Sequence, residues 1–114
     1  MRPSIKLLQA TCRITLFTRP NCSLCTDAKS VLLNVQQKRS LQLDELHIME
    51  PGPLTKQWRD LYEFDTPVIH VDAIDEGDKK FQTTAAALKL MHRFKESEVE
   101  ALMDEVIAAR PQKA

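Results

Sequence analysis

A short apolar strand that runs directly into an amphipathic helix is the feature that most constrains how this chain can fold. Residues 13–18 form a β-branched and aromatic stretch, which turn-forming residues at 19–21 bring to an end. The apolar residues that follow recur at the spacing of one helix face: Ala28, Val31, Leu32 and Val35. We therefore predict a helix over 22–38 and, with the next strand, a β–α–β unit whose strands run parallel.

Two cysteines, Cys22 and Cys25, lie at the junction between that strand and that helix. Side chains three residues apart on a helix are close enough to form a disulfide. Cys22 also lies where unpaired N–H groups and the helix dipole favour a thiolate, which lowers a cysteine pKa from about 8.5 to roughly 3.5–7.5. Arg19, three residues earlier, adds a positive charge that favours the same thiolate. The pattern predicts a site for thiol–disulfide exchange.

The middle of the chain predicts a second strand at 41–48, a second helix and a third strand at 68–71. The apolar phase of the second strand slips between Leu43 and Leu46, which predicts a bulge or an early end. The second helix is predicted from an apolar stripe of four residues: Leu54, Trp58, Leu61 and Tyr62.

The last third predicts a loop at 72–86, a strand at 88–94 and a final helix before residues 110–111. Residues 97–100 match the capping-box pattern of a helix start. The order β–α–β–α then β–β–α predicts an α/β fold with a mixed four-stranded sheet flanked by helices.

The composition of the chain restricts the classes of function that it can have. The 114 residues suffice for one domain, and 16 basic against 16 acidic side chains leave no overall charge to attract nucleic acid. No apolar run reaches the roughly 18 residues of a membrane span. Three cysteines, an odd number, favour a reducing compartment, for which we predict the cytoplasm. Residues 1–26 hold basic but no acidic side chains, so a short targeting segment within 1–12 and a mitochondrial matrix location form the alternative.

Three local patterns, in order, resemble the small glutaredoxin-like family of the thioredoxin fold. They are Leu16-Phe17-Thr18 with Cys22-Ser23-Leu24-Cys25, then Trp58, Tyr62, Phe64, Asp65, Pro67 and Val68, then Met91-His92-Arg93. The resemblance covers roughly residues 13–107. We predict a monomer with a glutaredoxin-like domain over 13–110, an N-terminal extension at 1–12 and a tail at 111–114.

The same resemblance implies roles for individual residues. Cys22 corresponds to the nucleophile that attacks a substrate disulfide, and Cys25 to the thiol that resolves the mixed disulfide. Pro67 corresponds to a cis-proline facing the cysteines, with the backbone of Thr66 exposed to a bound substrate. Independently of the resemblance, the position of Arg19 three residues before Cys22 makes it the candidate partner for a substrate carboxylate. The implied substrate is a protein disulfide or a small thiol, and no cofactor is implied.

The chain departs from glutaredoxins before the last helix. Glutaredoxins carry Gly-Gly and an acidic residue there, whereas this chain has Phe94-Lys95-Glu96-Ser97. We therefore expect glutathione, a possible reductant, to bind weakly.

Two alternatives to a redox enzyme stay open. One is a zinc site that completes the cysteine pair with Cys12, His47, His70 or His92, although we predict no metal and assign His70 and His92 to the core or a sheet edge. The other is a non-catalytic thioredoxin-fold scaffold that docks partners or carries a metal.

Overall fold

The computed structural model describes residues 12–74 and 83–109. Within these ranges the chain forms β1 (Cys12–Thr18), α1 (Ser23–Lys38), β2 (Gln42–His47), α2 (Pro53–Tyr62), β3 (Val68–Ala73), β4 (Leu88–Met91) and α3 (Glu96–Ala109). The strands of this part of the chain form one sheet in the order β2-β1-β3-β4. β1 pairs parallel with β2 and antiparallel with β3, and β4 pairs antiparallel with β3. The predicted element order and mixed sheet are thus confirmed.

The sheet is covered on both faces. Helices α1 and α3 pack on one face around the larger buried cluster, which includes Ile14, Leu16, Leu32, Val35, Ile69, Val71, Val99 and Met103. Helix α2 covers the other face, around a smaller cluster of Phe17, Ile48, Trp58, Tyr62 and Val68. The three layers explain why most side chains of β1 and β3 are buried, since both faces of these strands are covered.

Of the bulge or early end predicted for the second strand, the bulge is wrong, and the strand ends at His47, one residue before the predicted limit of 48. β2 stays in continuous register with β1 from the pair Arg13–Gln42 to the pair Thr18–His47. The apolar phase slips because each face of the sheet takes one leucine: Leu43 packs against the larger cluster and Leu46 against the smaller one.

The predicted apolar stripe of α2 is wrong in two of its four members. The buried side chains of this helix are Thr55, Trp58 and Tyr62, whereas Leu54 and Leu61 are exposed by 64% and 51%. Thr55 tolerates burial because its hydroxyl donates to the Glu50 carbonyl at 2.6 Å. The buried face of α2 is therefore the side that carries its two aromatic residues, Trp58 and Tyr62.

The strand predicted at 88–94 is shorter, because β4 ends at Met91 and His92 adopts a left-handed φ of 65°. The helix start also differs from the predicted capping box at 97–100. α3 begins at Glu96, and the Glu98 carboxylate accepts the backbone N–H of Lys95 at 2.8 Å. The carboxylate cap is present, but it closes on Lys95 rather than on Ser97.

Residues 1–11, 75–82 and 110–114 lie outside the described residues. The predicted tail, the predicted helix stop at 110–111, most of the extension and the middle of the 72–86 loop fall there. Cys12, predicted to end the extension, is instead the first residue of β1. In the part of the chain that is described, no helix is both long and apolar enough to cross a bilayer.

Candidate redox site

The cysteine pair lies at the start of α1. Cys22 is the N-cap residue, with extended φ and ψ of −122° and 102°, and its sulfur accepts the backbone N–H of Cys25 at 3.1 Å. The two sulfurs are joined in a disulfide, and the Cα atoms lie 5.2 Å apart. Cys22 is half-buried, whereas Cys25 faces inward and is 5% exposed. A reagent approaching from solvent therefore reaches Cys22 first.

The turn from β1 into α1 explains this placement. Asn21 adopts a left-handed φ of 58°, a conformation that asparagine tolerates better than most residues. Helical hydrogen bonding begins at once, since the Thr26 N–H donates to the Cys22 carbonyl at 3.2 Å. The helix N-terminus therefore directs an N–H group at the Cys22 sulfur.

An open groove of about 480 Å³ runs beside both cysteines, and Arg19 forms part of its wall. Residues of α1 and β2 also line the groove, and there the Glu45 carboxylate contacts the Lys29 ammonium at 2.9 Å. His47 lines the groove as well, with its Nδ1 3.2 Å from the Thr18 hydroxyl. Glu45 and Lys29 were not predicted as site residues, because nothing local in the sequence indicates that they lie beside the cysteines.

Arg19 connects the cysteine loop to the turn that precedes β3. Its guanidinium donates to the Glu63 carbonyl at 2.9 Å. One donor of this side chain is thus engaged in structure, while the side chain still lines the groove with Cys22 and Cys25.

Thr66 and Pro67 lie just before β3, and the peptide bond between them is cis. The pairing of β3 with β1 ends at the pair Phe17–Val68. Pro67 comes one residue before Val68 and therefore lies just beyond this end of the ladder, on the side of Thr18. The Pro67 carbonyl accepts the His92 N–H at 2.7 Å, which fixes the bend at the end of β4. Among the described residues, the wall of the groove includes neither Thr66 nor Pro67.

A second, smaller cavity of about 170 Å³ lies on the side of Leu24, between α1 and the segment after β4. Asp27, His92, Arg93 and Phe94 line it. The imidazole of His92 is 3.7 Å from the Asp65 carboxylate. This segment precedes the last helix, and it is the segment that lacks the two glycines found in glutaredoxins.

The remaining candidate ligands are dispersed. Cys12 is fully buried, with its sulfur 3.8 Å from the Met103 carbonyl, and His70 is fully buried against Tyr62. The prediction of a core histidine is confirmed for His70, whereas His92 lies past the end of β4 rather than within the strand. Across residues 12–74 and 83–109, no three His, Cys, Asp or Glu side chains form a group able to hold a metal ion.

Solved structures define the fold class. The chain is similar to thioredoxin-2 of the malaria parasite, a component of its protein secretion machinery, with a TM-score of 0.58 and 14% identity over 83% of this chain and 82% of that one. It is also similar to oxidised thioredoxin O2 from Arabidopsis thaliana, with a TM-score of 0.56 and 15% identity over 86% and 76% of the two chains. The chain has a thioredoxin-like fold, as predicted.

A family model identifies the chain more narrowly. Residues 13–104 match the family described as Glutaredoxin-like domain (DUF836). The match covers most of the chain, and the protein belongs to this glutaredoxin-like family, as the three sequence patterns predicted.

Proposed function

We propose that this protein is a thiol–disulfide oxidoreductase that cycles between a Cys22–Cys25 dithiol and the disulfide. The observation that carries this proposal is the pairing of a half-buried sulfur at a helix N-cap with a buried sulfur three residues on. The family membership and the thiol chemistry of the fold class support it.

In the forward direction, the Cys22 thiolate attacks one sulfur of a substrate disulfide, and the other substrate sulfur leaves as a thiolate. The Cys25 thiol loses its proton to solvent and attacks the Cys22 sulfur, which releases the second substrate thiolate. Two electrons pass from the dithiol to the substrate. A thiol reductant, either a small thiol or a dithiol protein, then restores the Cys22–Cys25 dithiol.

The protein's own groups assist this exchange at the helix start. The N–H of Cys25 is directed at the Cys22 sulfur and stabilises a negative charge there. Arg19, in the groove wall, adds a cation on the substrate side. Thr66, which precedes the cis peptide bond, offers backbone groups for strand-like pairing with a substrate chain.

Two serine variants test the assignment of roles. Reduced Cys25→Ser, mixed with a peptide–thionitrobenzoate mixed disulfide, should retain the peptide on Cys22, because no second thiol resolves the adduct. Reduced Cys22→Ser should form no adduct in the same time, since Cys25 is 5% exposed. Intact mass under non-reducing conditions reads out both reactions.

The double variant Cys22→Ser/Cys25→Ser is the matched control for the buried Cys12. The opposite trapping pattern, with an adduct on Cys25 and none on Cys22, would contradict the assignment.

A further inference from the structure

Phe64 is exposed in a way that no other described phenylalanine is. Its exposed fraction is 86%, whereas Phe17 and Phe94, the other phenylalanines within 12–74 and 83–109, are exposed by 0% and 9%. Isolated apolar residues at a surface are common, so exposure alone carries no conclusion. The position of Phe64 does support a conclusion, since this residue lies in the turn between α2 and the cis Thr66–Pro67 bond.

The backbone on both sides of Phe64 is held in place. The Glu63 N–H donates to the Arg59 carbonyl at 3.0 Å, and the Asp65 N–H donates to the Tyr62 carbonyl at 2.9 Å. The Glu63 carbonyl also accepts the Arg19 guanidinium of the cysteine loop. The ring is therefore presented from a fixed turn that is tied directly to the loop carrying Cys22.

Phe64 follows two exposed leucines of α2. Leu61 precedes it by three residues and Leu54 by ten, and the two leucines are exposed by 51% and 64%. Residues seven apart lie on the same side of a helix, so Leu54 and Leu61 share one side of α2 and lie about 10 Å apart along its axis. Phe64 comes two residues after the end of this helix at Tyr62. We refer to Leu54, Leu61 and Phe64 as the apolar strip.

We infer that the apolar strip docks the protein substrate of the redox site, and that Phe64 selects substrates with apolar residues flanking the reactive cysteine. This inference rests on the proposed function. A small thiol bound at Cys22 is too short to cover a strip of this length, whereas an extended peptide covers it at about 3.3 Å per residue.

The size of the strip favours a transient substrate over a second copy of the chain. A stable protein interface buries about 800 Å² on each partner, and a phenylalanine side chain supplies only about 150–250 Å². Three side chains therefore suit a partner that binds, exchanges its disulfide and leaves.

A pair of peptides tests the inference. Both carry one cysteine as a mixed disulfide with thionitrobenzoate, and they differ only in having leucine or serine at the positions two to four residues from that cysteine. The measurement is the rate of thionitrobenzoate release by reduced Cys25→Ser protein. We expect the leucine peptide to react about fivefold faster.

Variants assign that preference to Phe64. Phe64→Ala in the Cys25→Ser background should bring the ratio of the two rates to within about twofold, while Phe64→Leu, which keeps an apolar side chain, should retain most of it. Leu33→Ala removes another exposed leucine, 42% exposed on α1, and should leave the ratio unchanged.

Each other outcome has a defined meaning. Equal rates for the two peptides, or a preference that survives Phe64→Ala, would overturn the docking inference. Release from neither peptide would overturn the proposed function instead. A dimer in sedimentation velocity that Phe64→Ala dissociates would assign the strip to self-association and would also overturn the inference.

Discussion

Replacing His70 should remove a large part of the acid sensitivity of this fold. His70 is fully buried on β3, where its Nε2 lies 2.6 Å from the Tyr62 hydroxyl and its Nδ1 2.9 Å from the Thr83 hydroxyl. Thr83 donates its own proton to the Asp72 carboxylate at 2.8 Å, so it accepts from Nδ1. Nε2 then accepts the Tyr62 proton, and this set of bonds requires a neutral imidazole.

The magnitude follows from the pKa. Burial, together with the nearby Lys89 ammonium, lowers the pKa of His70 from 6.5 to about 4. The unfolded chain therefore takes up the proton first as the pH falls. The stabilisation by neutral His70 is complete above about pH 6.5 and is lost progressively down to about pH 4. At about 1.4 kcal/mol per pKa unit, the full difference is about 3 kcal/mol.

The carboxyl group of Asp72 has the opposite effect on how stability changes with pH. Burial raises the pKa of its carboxyl group, so the folded state protonates before the unfolded state and gains stability as the pH falls. The effect of His70 is therefore measured as a difference between two proteins that both contain Asp72.

The assay is urea unfolding of the oxidised protein and of His70→Gln at about pH 7.5 and about pH 5.0. Between these conditions, the free energy of unfolding of the wild-type protein should fall by about 2 kcal/mol more than that of His70→Gln. Asp72→Asn provides the matched background, in which the same difference should persist. Equal losses in wild type and His70→Gln would refute the reasoning.

Two further predictions concern the second core and the reductant. Phe17→Ala should lower the free energy of unfolding by about 3–5 kcal/mol, because the ring is fully buried and lies 5.0 Å from the Trp58 ring; a loss below about 1 kcal/mol in urea would contradict this packing. Glutathione should support turnover poorly, because residues 94–97 before the last helix contain no glycine that would let backbone N–H groups approach a glutathione carboxylate closely. Steady-state reduction of a glutathionylated peptide measures this, and saturation at low glutathione would show the expectation to be wrong.

Local patterns in the sequence sufficed for the elements around the cysteines. The residue patterns that predict β1 and the apolar stripe of α1 each extend over several residues. The N-cap position of Cys22 follows from where that stripe begins. Because a β–α–β unit pairs in parallel and the later strand pair is a hairpin, the mixed character of the sheet was predictable as well.

Features decided by tertiary contacts were not predictable. The stripe of α2 was misassigned because Leu54 and Leu61 have the same spacing as a buried face, and only contacts with Phe17 decide that the aromatic side turns inward. Glu45 lies twenty residues after Cys25, and it reaches the groove only because β2 pairs in parallel with β1. The spacing of residues along the chain does not indicate such neighbours.

The stoichiometry of one reaction tests the central claim most directly. Reduced protein is mixed with excess dithionitrobenzoic acid, and released thionitrobenzoate is counted per chain while intact mass follows the protein. A functional Cys22–Cys25 dithiol should release two thionitrobenzoate anions, carry no adduct and end with its own disulfide, because Cys25 displaces the adduct formed on Cys22. A stable adduct on each cysteine, or no reaction at either, would contradict the account.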